Sequence, residues 1–375
     1  MKKVTCLTGV DAARMFYTPG RFHRRKAMPP TALRLLTDKG SVQQLEGTAH
    51  RARKQMFMGL LLAPSLEALL ATVTQVLGQR MHAWVPGEAV VVQAEMEQVL
   101  GRAAMAWLGL DVPDHDKDRR VDEFRAMVEG AGTRPSWALR GLARRWRTER
   151  WLRREVRRTR EQPRPARPKS PLDTVAWHVD GDGRLIDARS AAVELVNLVR
   201  PILAIARFAT FSLLALHDHP RWRERLRFAD QGEMQAFVQE VRRFYPFFPA
   251  VGGRAMEAFR WRDIVFDRDD WVILDLYGTN HDPRAWPKPD HFDPLRFLVR
   301  PDAHENIVAQ GSGEYLDSHR CAGEPATIAI LVSLLGVLLQ DATWTVRPQA
   351  VHVPLDRIPT LPVPNLVLTS LRNTR

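Results

Sequence analysis

The sequence predicts a mainly α protein with a minor β part, and three observations carry that expectation. Up to Tyr245 most of the chain falls into stretches whose apolar residues recur at helical spacing. Between residues 247 and 276 the pattern changes to Pro, Gly and short β-prone runs, which reads as small sheet elements. No linker divides the chain into independent parts, so residues 1–375 read as a single domain.

Helical apolar spacing covers residues 49–62 and 64–84. Pro64 suits a first turn, where its missing N–H has no helical acceptor to lose. A short strand is expected near Val90-Val91-Val92, and helices over 94–108, 113–128 and 137–160. Pro163, Pro165, Pro168 and Pro171 then impose a loop, because each removes a backbone donor and fixes φ. A long apolar helix follows over 187–216, with further helices over 220–228 and 231–245. Beyond the small sheet elements, an irregular segment with many Pro, Gly and His residues runs to Arg320. A final helix follows Cys321, and residues 344–371 read as short strands.

The chain has 375 residues, of which 45% are hydrophobic, an ordinary share that permits a large packed core. Its start, Met1-Lys2-Lys3-Val4-Thr5-Cys6, has two positive charges but no apolar run of signal-peptide length. Of two long apolar stretches, residues 193–216 contain Arg200 and Arg207, each of which costs about 2.5–3.5 kcal/mol at a bilayer centre. The other, 328–339, is too short to cross a bilayer. Both read as buried helices, so no membrane span is expected and the chain reads as soluble and cytoplasmic. Cys6 and Cys321 are the two cysteines, and without a secretion signal they are expected to be reduced. A lone cysteine can be inert core, a nucleophile or a metal ligand, and its surroundings decide.

The net charge is +12, and much of it sits between Arg134 and Lys169, in runs such as Arg144-Arg145-Trp146-Arg147 and Arg153-Arg154-Glu155-Val156-Arg157-Arg158. Clustered arginine with interleaved Trp is what a phosphate groove uses. The plainer reading is a solvated helix face followed by a Pro-rich loop. No nucleic-acid module accompanies the run, so no nucleic-acid partner is expected.

Candidate chemistry lies in three segments and the helix that follows them. Glu240 and Arg243 are three apart on an expected helix, so they share a face and can pair, although such pairs are common. The run from His281 through Pro289, followed by Phe292-Asp293-Pro294-Leu295-Arg296-Phe297, has too many prolines for a helix or a central strand. It reads as an ordered irregular segment in which a buried Arg296 needs a carboxylate, and Glu240 is the natural candidate. Last, Gln310-Gly311-Ser312-Gly313 leads through His319-Arg320-Cys321-Ala322-Gly323-Glu324 into the apolar helix. A thiolate near a helix N-terminus is favoured by the dipole and by free backbone N–H groups. The glycines would let the backbone pass close to a flat ligand, and such a loop suits a thiolate under a haem.

Taken in this order, the segments resemble the cytochrome P-450 superfamily. The resemblance implies the cytochrome P-450 fold, haem b as cofactor, Cys321 as the axial ligand of its iron, and Glu240, Arg243 and Arg296 as a structural ion-pair triad. Gln310, Gly311, Arg320 and Gly323 are then placed against the cofactor. The long helix before Glu240 carries no acid–Thr pair of the kind that relays protons in ordinary members; Thr210 follows Ala209. Instead it reads Asn197-Leu198-Val199-Arg200-Pro201, with a kink expected at Pro201 because the Asn197 carbonyl loses its helical donor. Arg200 lies in an apolar stretch, where an unpaired guanidinium is costly and a carboxylate would satisfy it, either a substrate's or a protein side chain's.

An Arg-Pro at this point, with Phe16-Tyr17, the segment from Gln239 to Phe247, the segment from Tyr277 to Pro283 and Gln310-Gly311, is similar to the bacterial fatty-acid peroxygenase branch. That likeness implies α/β hydroxylation of fatty acids with hydrogen peroxide as co-substrate and no redox partner. The fatty-acid carboxylate would dock on Arg200, beside Pro201, and serve as the acid–base group for peroxide cleavage. Arg24, His50 and Lys54 resemble the cations that bind the haem propionates, Gln43 occupies a distal position over the haem, and Phe247 lines the substrate channel. Relative to that branch the chain is expected to lack an N-terminal segment of roughly 40 residues, leaving apolar surface by the small sheet. Thr37 and Ala250 replace aromatics of relatives, which is expected to reshape the channel. A conventional monooxygenase with electron-transfer partners and a non-catalytic haem protein are the competing readings.

Overall fold

The computed structural model describes residues 4–373 apart from 39, 86, 133 and 134, so Met1, Lys2, Lys3 and Arg134, named above, lie outside the described residues. The chain opens with β1 (Val4–Leu7), α1 (Val10–Tyr17), β2 (Phe22–His23) and α2 (Pro30–Leu36), then a 3-10 turn over Val42–Gln44. Helices α3 (Gly47–Leu60) and α4 (Ser65–His82) precede a short strand, β3 (Val90–Val91), and α5 (Val92–Leu108), α6 (Asp114–Glu129) and α7 (Pro135–Glu161). Next come α8 (Pro171–Ala176), α9 (Ala188–Ala204), α10 (Ala206–Asp218), α11 (Pro220–Leu226) and α12 (Gln231–Phe244). The β-rich part holds β4 (Ala250–Ala255), β5 (Phe259–Trp261), β6 (Ile264–Phe266) and β7 (Trp271–Asp275), with short helices α13 (Leu276–Asn280) and α14 (Leu295–Val299) after it. The chain closes with α15 (Glu324–Asp341), β8 (Ala342–Val346) and β9 (Val367–Asn373).

Local chemistry sets many of these ends. Ser170 and Asp173 form a reciprocal capping box at α8, and Asp187 and Asp230 accept backbone N–H groups at the starts of α9 and α12. Gly109 ends α5 in the left-handed conformation at φ 81°. Gly141 brings α7 onto α6: a Cβ there would lie 2.7 Å from Ala126 O. The result is mainly α with a minor β part, as the pattern predicts.

A four-stranded sheet runs β1-β7-β4-β2, with β1 parallel to β7 and the other pairs antiparallel. A three-stranded sheet, β3-β9-β8, and a β5-β6 hairpin complete the strands. The main core is built by helices and includes Leu100, Phe124, Leu195, Phe211, Phe237 and Leu335. A satellite core under the four-stranded sheet holds Phe16, Phe22 and Phe266.

Three details differ from expectation. The elements before residue 40 give no periodic signal because each is shorter than the window a period needs. The expected kink at Pro201 is displaced: α9 continues through Pro201, and the ladder breaks at Ile205, whose N–H bonds Ile202 O at 3.1 Å. Pro201 removes only one ladder bond, that to the Asn197 carbonyl, and the helix carries on past it; the 3-10 bond at Ile205 lies one turn later. The last apolar helix, α15, is 18 residues, so both it and the 31-residue run Ala188–Asp218 are long and apolar enough to cross a membrane. In the second of these, 94% of the apolar window is buried in the protein interior, which gives its apolarity a packing role.

Candidate functional site

One cavity of about 350 Å3 collects most of the residues singled out in the sequence: Gln43, His50, Lys54, Arg200, Pro201, Phe247, Gln310, Arg320, Cys321 and Gly323. Its size is that of a ligand pocket. Leu36, Val42, Phe57, Leu61, Ile202, Ile205, Phe208 and Phe248 supply apolar wall.

The cysteine side is assembled by the loop before α15. Cys321 N–H donates to Gln310 O at 2.9 Å, and Gln310 Nε2 approaches Cys321 Sγ at 3.8 Å while donating to Thr327 Oγ1 at 3.0 Å. Burial pushes the Cys321 thiol up, while the Gly323 N–H, Gln310 and Lys54 pull the other way. Gly311, at φ 102°, could not carry a side chain: a Cβ would lie 2.9 Å from Tyr17 and 3.0 Å from Arg320 Cα. Its glycine is thus needed by the chain's own packing, and Gly311 does not itself line the cavity. Arg242, to which the sequence reading gives no role of its own, ties this loop to α15: its Nε donates to Gln310 Oε1 at 3.0 Å and its Nη2 pairs with Glu324. Arg320 Nε also pairs with Glu324, at 2.7 Å.

Beneath the loop, Glu240 is fully buried and accepts from Arg243 Nε and Nη2, both at 2.8 Å, and from Arg296 Nε at 3.1 Å. The remaining donors are also used: Arg243 Nη1 bonds Asn280 O, and Arg296 bonds Pro287 O and His291 O. A buried charge cluster this fully hydrogen-bonded fixes the irregular segment between α13 and α14 against α12.

A second group of polar residues comes from α9 and the 3-10 turn. Arg200 is 4% exposed; its Nη1 donates to Leu35 O at 2.7 Å and its Nη2 to Asn197 Oδ1 at 3.0 Å. Both acceptors are neutral, and among the described residues no carboxylate lies within ion-pair distance of it. Leu35 O, at the end of α2, also accepts from Arg145 Nη1 of α7 at 2.8 Å. Burial, then the repulsion of Arg145, push the Arg200 guanidinium down to about 9 against the attraction of Glu194, so it keeps its charge at neutral pH. Asn197 Nδ2 donates to Glu194 Oε2 at 2.9 Å and approaches Gln43 Oε1 at 3.4 Å. Glu194, fully buried, also accepts from Val42 N at 2.9 Å and Arg53 Nη1 at 2.7 Å, so one carboxylate fixes the Gln43 turn, Asn197 and Arg53 together. Thr210 plays no part here; its hydroxyl bonds Gln93 and Ala206 O in the core.

The expected anion-binding cations divide. Lys54 lines the cavity, donates to Arg320 O at 2.7 Å and to Ser318 O, and is pushed down to about 8 by burial. Burial, His319 and Lys54 push His50 down to about 4, so in the protein alone it is a neutral donor rather than the expected cation. The His50 ring lies tilted against that of His319, whose Nε2 meets Glu46 Oε1 at 3.2 Å. Arg24 does not line the cavity; it lies over Phe16 and Tyr17, and its Nη2 is buried with no partner. Thr37 and Ala250 do not line it either: the Thr37 hydroxyl bonds Leu33 O and accepts from Gln44, and Ala250 sits in β4. The cavity wall at those two places is made by their neighbours Leu36 and Phe248.

The residues fit a haem. Among the described residues no group of three or more His, Cys, Asp or Glu could hold a bare metal ion. Cys321 therefore suits a metal that brings its other ligands with it. The orphaned Nη2 of Arg24 and the Lys54 ammonium suit the acidic edge of such a cofactor. Cys6 and Cys321 are both free thiols.

Comparisons with known proteins bear on the family and the fold. The family model for cytochrome P-450 matches residues 218–368. The fold is similar to that of cytochrome P-450SP alpha in complex with (R)-ibuprofen, with a TM-score of 0.94 and 35% identity over 100% of this chain and 92% of that chain. It is similar also to cytochrome P-450EX alpha with myristic acid, at a TM-score of 0.92 and 35% identity over 99% and 90% of the two chains. A curated relative, 11-hydroxysugiol 20-monooxygenase of Salvia miltiorrhiza, is 28% identical over 129 residues, 33% of this chain. That match spans about a quarter (25%) of the relative's own length.

Proposed function

The chain belongs to the cytochrome P-450 superfamily, and from that membership we propose that it is a haem-thiolate peroxygenase that hydroxylates fatty acids at the α and β carbons using hydrogen peroxide. The observation that carries the reading is Arg200, a buried, charged, cavity-lining guanidinium with neutral partners only, followed by Pro201 where an acid–Thr pair would be needed for O2 chemistry. Such a group binds a carboxylate. The myristic acid named with P-450EX alpha supports a fatty acid as its source.

Cys321 would hold haem b through Sγ, with Gln310, Arg320 and Gly323 around it and Arg24, His50 and Lys54 toward its propionates. Bound there, the haem supplies peroxide cleavage and oxygen transfer to a C–H bond. Arg200 holds the substrate carboxylate in place, and that carboxylate accepts and returns the peroxide proton, replacing the missing acid side chain. Gln43 and Asn197 hydrogen-bond at the same end of the cavity and limit where the head group can sit. Fixing the head leaves the α and β carbons as the nearest C–H bonds. Phe247, packed on Phe208 at 5.0 Å and Phe248 at 4.7 Å, excludes water along the chain. Neither a reductase nor NAD(P)H is required.

The test is turnover of myristic acid with hydrogen peroxide alone, followed by product analysis. Hydroxy acids are expected, and Arg200→Ala should lose about 2–5 kcal/mol of carboxylate binding and most turnover. A requirement for NAD(P)H and electron-transfer proteins would instead identify a conventional monooxygenase, and haem binding without turnover a non-catalytic protein. Arg200→Ala kinetics equal to wild type would refute the role of the guanidinium.

A further inference from the structure

The outer face of α7 takes no part in the cavity. Helix α7 has 27 residues and is therefore about 40 Å long. At helical spacing Arg140, Arg147, Arg150, Arg154, Arg157 and Arg158 fall on one exposed stripe. No acidic residue interrupts that stripe before Glu161: Glu149 is buried against Arg145, and Glu155 is half-buried at the flank. Among the described residues the ion pairs of α7 are made by Arg145 alone, with Asp38 and Glu149. Six guanidiniums along one face repel one another, and an extended anionic surface relieves that repulsion.

The stripe is not purely cationic. Leu139 is 69% and Trp146 57% exposed, both in its N-terminal half, with the Arg150 guanidinium 5.5 Å from the Trp146 ring. That end is also the one nearest the cavity wall, because Gly141 packs against Leu35, the neighbour of cavity-lining Leu36. Arginines suit any polyanion, but Leu and Trp projecting beside them match a helix lying in the headgroup–acyl boundary.

We propose that the outer face of α7 docks on an anionic phospholipid surface, with its arginines on the phosphates and Leu139 and Trp146 in the acyl boundary. The proposal rests on α7 alone and stands whatever the cavity binds. Haem-loaded protein should float with phosphatidylglycerol–phosphatidylcholine vesicles at low salt, should be released by added salt, and should not float with phosphatidylcholine alone. The triple variant R147Q/R150Q/R154Q changes exposed positions only, and unaltered haem content and thermal unfolding establish that its fold is intact. Each basic residue near an anionic surface is worth about fivefold in affinity, so this variant should bind roughly a hundredfold more weakly. Trp146→Ala should weaken binding and leave its salt dependence unchanged. Absence of flotation with anionic vesicles, or wild-type flotation of the triple variant, overturns the proposal. Tighter binding to a DNA duplex than to those vesicles, at equal phosphate concentration and salt, reassigns the face to nucleic acid and overturns it too.

Discussion

Glu194 decides which way Asn197 presents its amide. A carboxylate only accepts, so it takes Asn197 Nδ2 at 2.9 Å and leaves Oδ1 for Arg200 Nη2 at 3.0 Å. Glutamine at 194 both donates and accepts, so it no longer enforces that orientation, and only the Arg200 guanidinium is left to hold the Asn197 oxygen toward itself. Glu194→Gln should therefore weaken fatty-acid binding roughly tenfold, the worth of one hydrogen bond to a charged group, without altering the spectrum of the thiolate-ligated haem. Soret titration with substrate reads this, and an unchanged Kd removes Glu194 from the site. His50 offers a test by pH. Its folded pKa, about 4, lies below the ordinary 6.5, so between those values the unfolded chain binds more protons and stability falls as the pH falls. His50→Gln should lose less thermal stability than wild type over that window; parallel curves would show that His50 is not the group responsible. Much of the site is legible residue by residue, since Cys321, Arg200 and the Gln310 loop stand in recognisable local patterns. Glu194 is not: a glutamate in an apolar helix reads as exposed until Arg53, 141 positions away, arrives beside it.

At the scale of elements, α12 shows what spacing reveals and what it hides. Glu240 and Arg243 are three apart and share a face, so their pairing follows from sequence. Arg242, two positions from Glu240, points the other way and meets Glu324 across 82 residues, a contact that no local period announces. One helix thus grips the segment before α14 with one face and the cysteine loop with the other. Glu240→Gln leaves buried Arg243 and half-buried Arg296 without a counter-charge and should cost about 3–5 kcal/mol, visible as a large drop in melting temperature and in haem retention. A loss under about 1 kcal/mol would mean that the cluster is not structural in the sense argued. The same limit of local reasoning explains α9 and α10. Proline chemistry foretells a disturbance near residue 201, but the position of the break, Ile205, is set by how the following turn packs. The short N-terminal elements are illegible for a related reason: β1 exists because Val4 to Leu7 find Trp271 to Leu274 to pair with.

For the whole molecule, the net charge of +12 creates a field that anions feel before any contact forms. Association of a fatty-acid anion should therefore slow as salt is added, whereas a neutral analogue such as the methyl ester should be indifferent; stopped-flow Soret traces separate the two. Equal salt dependence would assign the effect to apolar contacts instead. The mainly α architecture is legible from periodicity because long helices dominate it, and the strands of residues 250–275 are legible from composition; the pairings of β1 with β7 and of β3 with β9 are not, because those partners come from distant parts of the chain. One atom joins the distant parts of this molecule. Leu35 O receives Arg145 from α7 and Arg200 from α9, at 2.8 and 2.7 Å. A carbonyl shared in this way cannot move for one donor without changing what it offers the other. Any load on α7 that shifts Arg145 must then alter the grip of Arg200 on its carboxylate, and by thermodynamic reciprocity a carboxylate on Arg200 must alter the affinity of α7 for that load by the same factor.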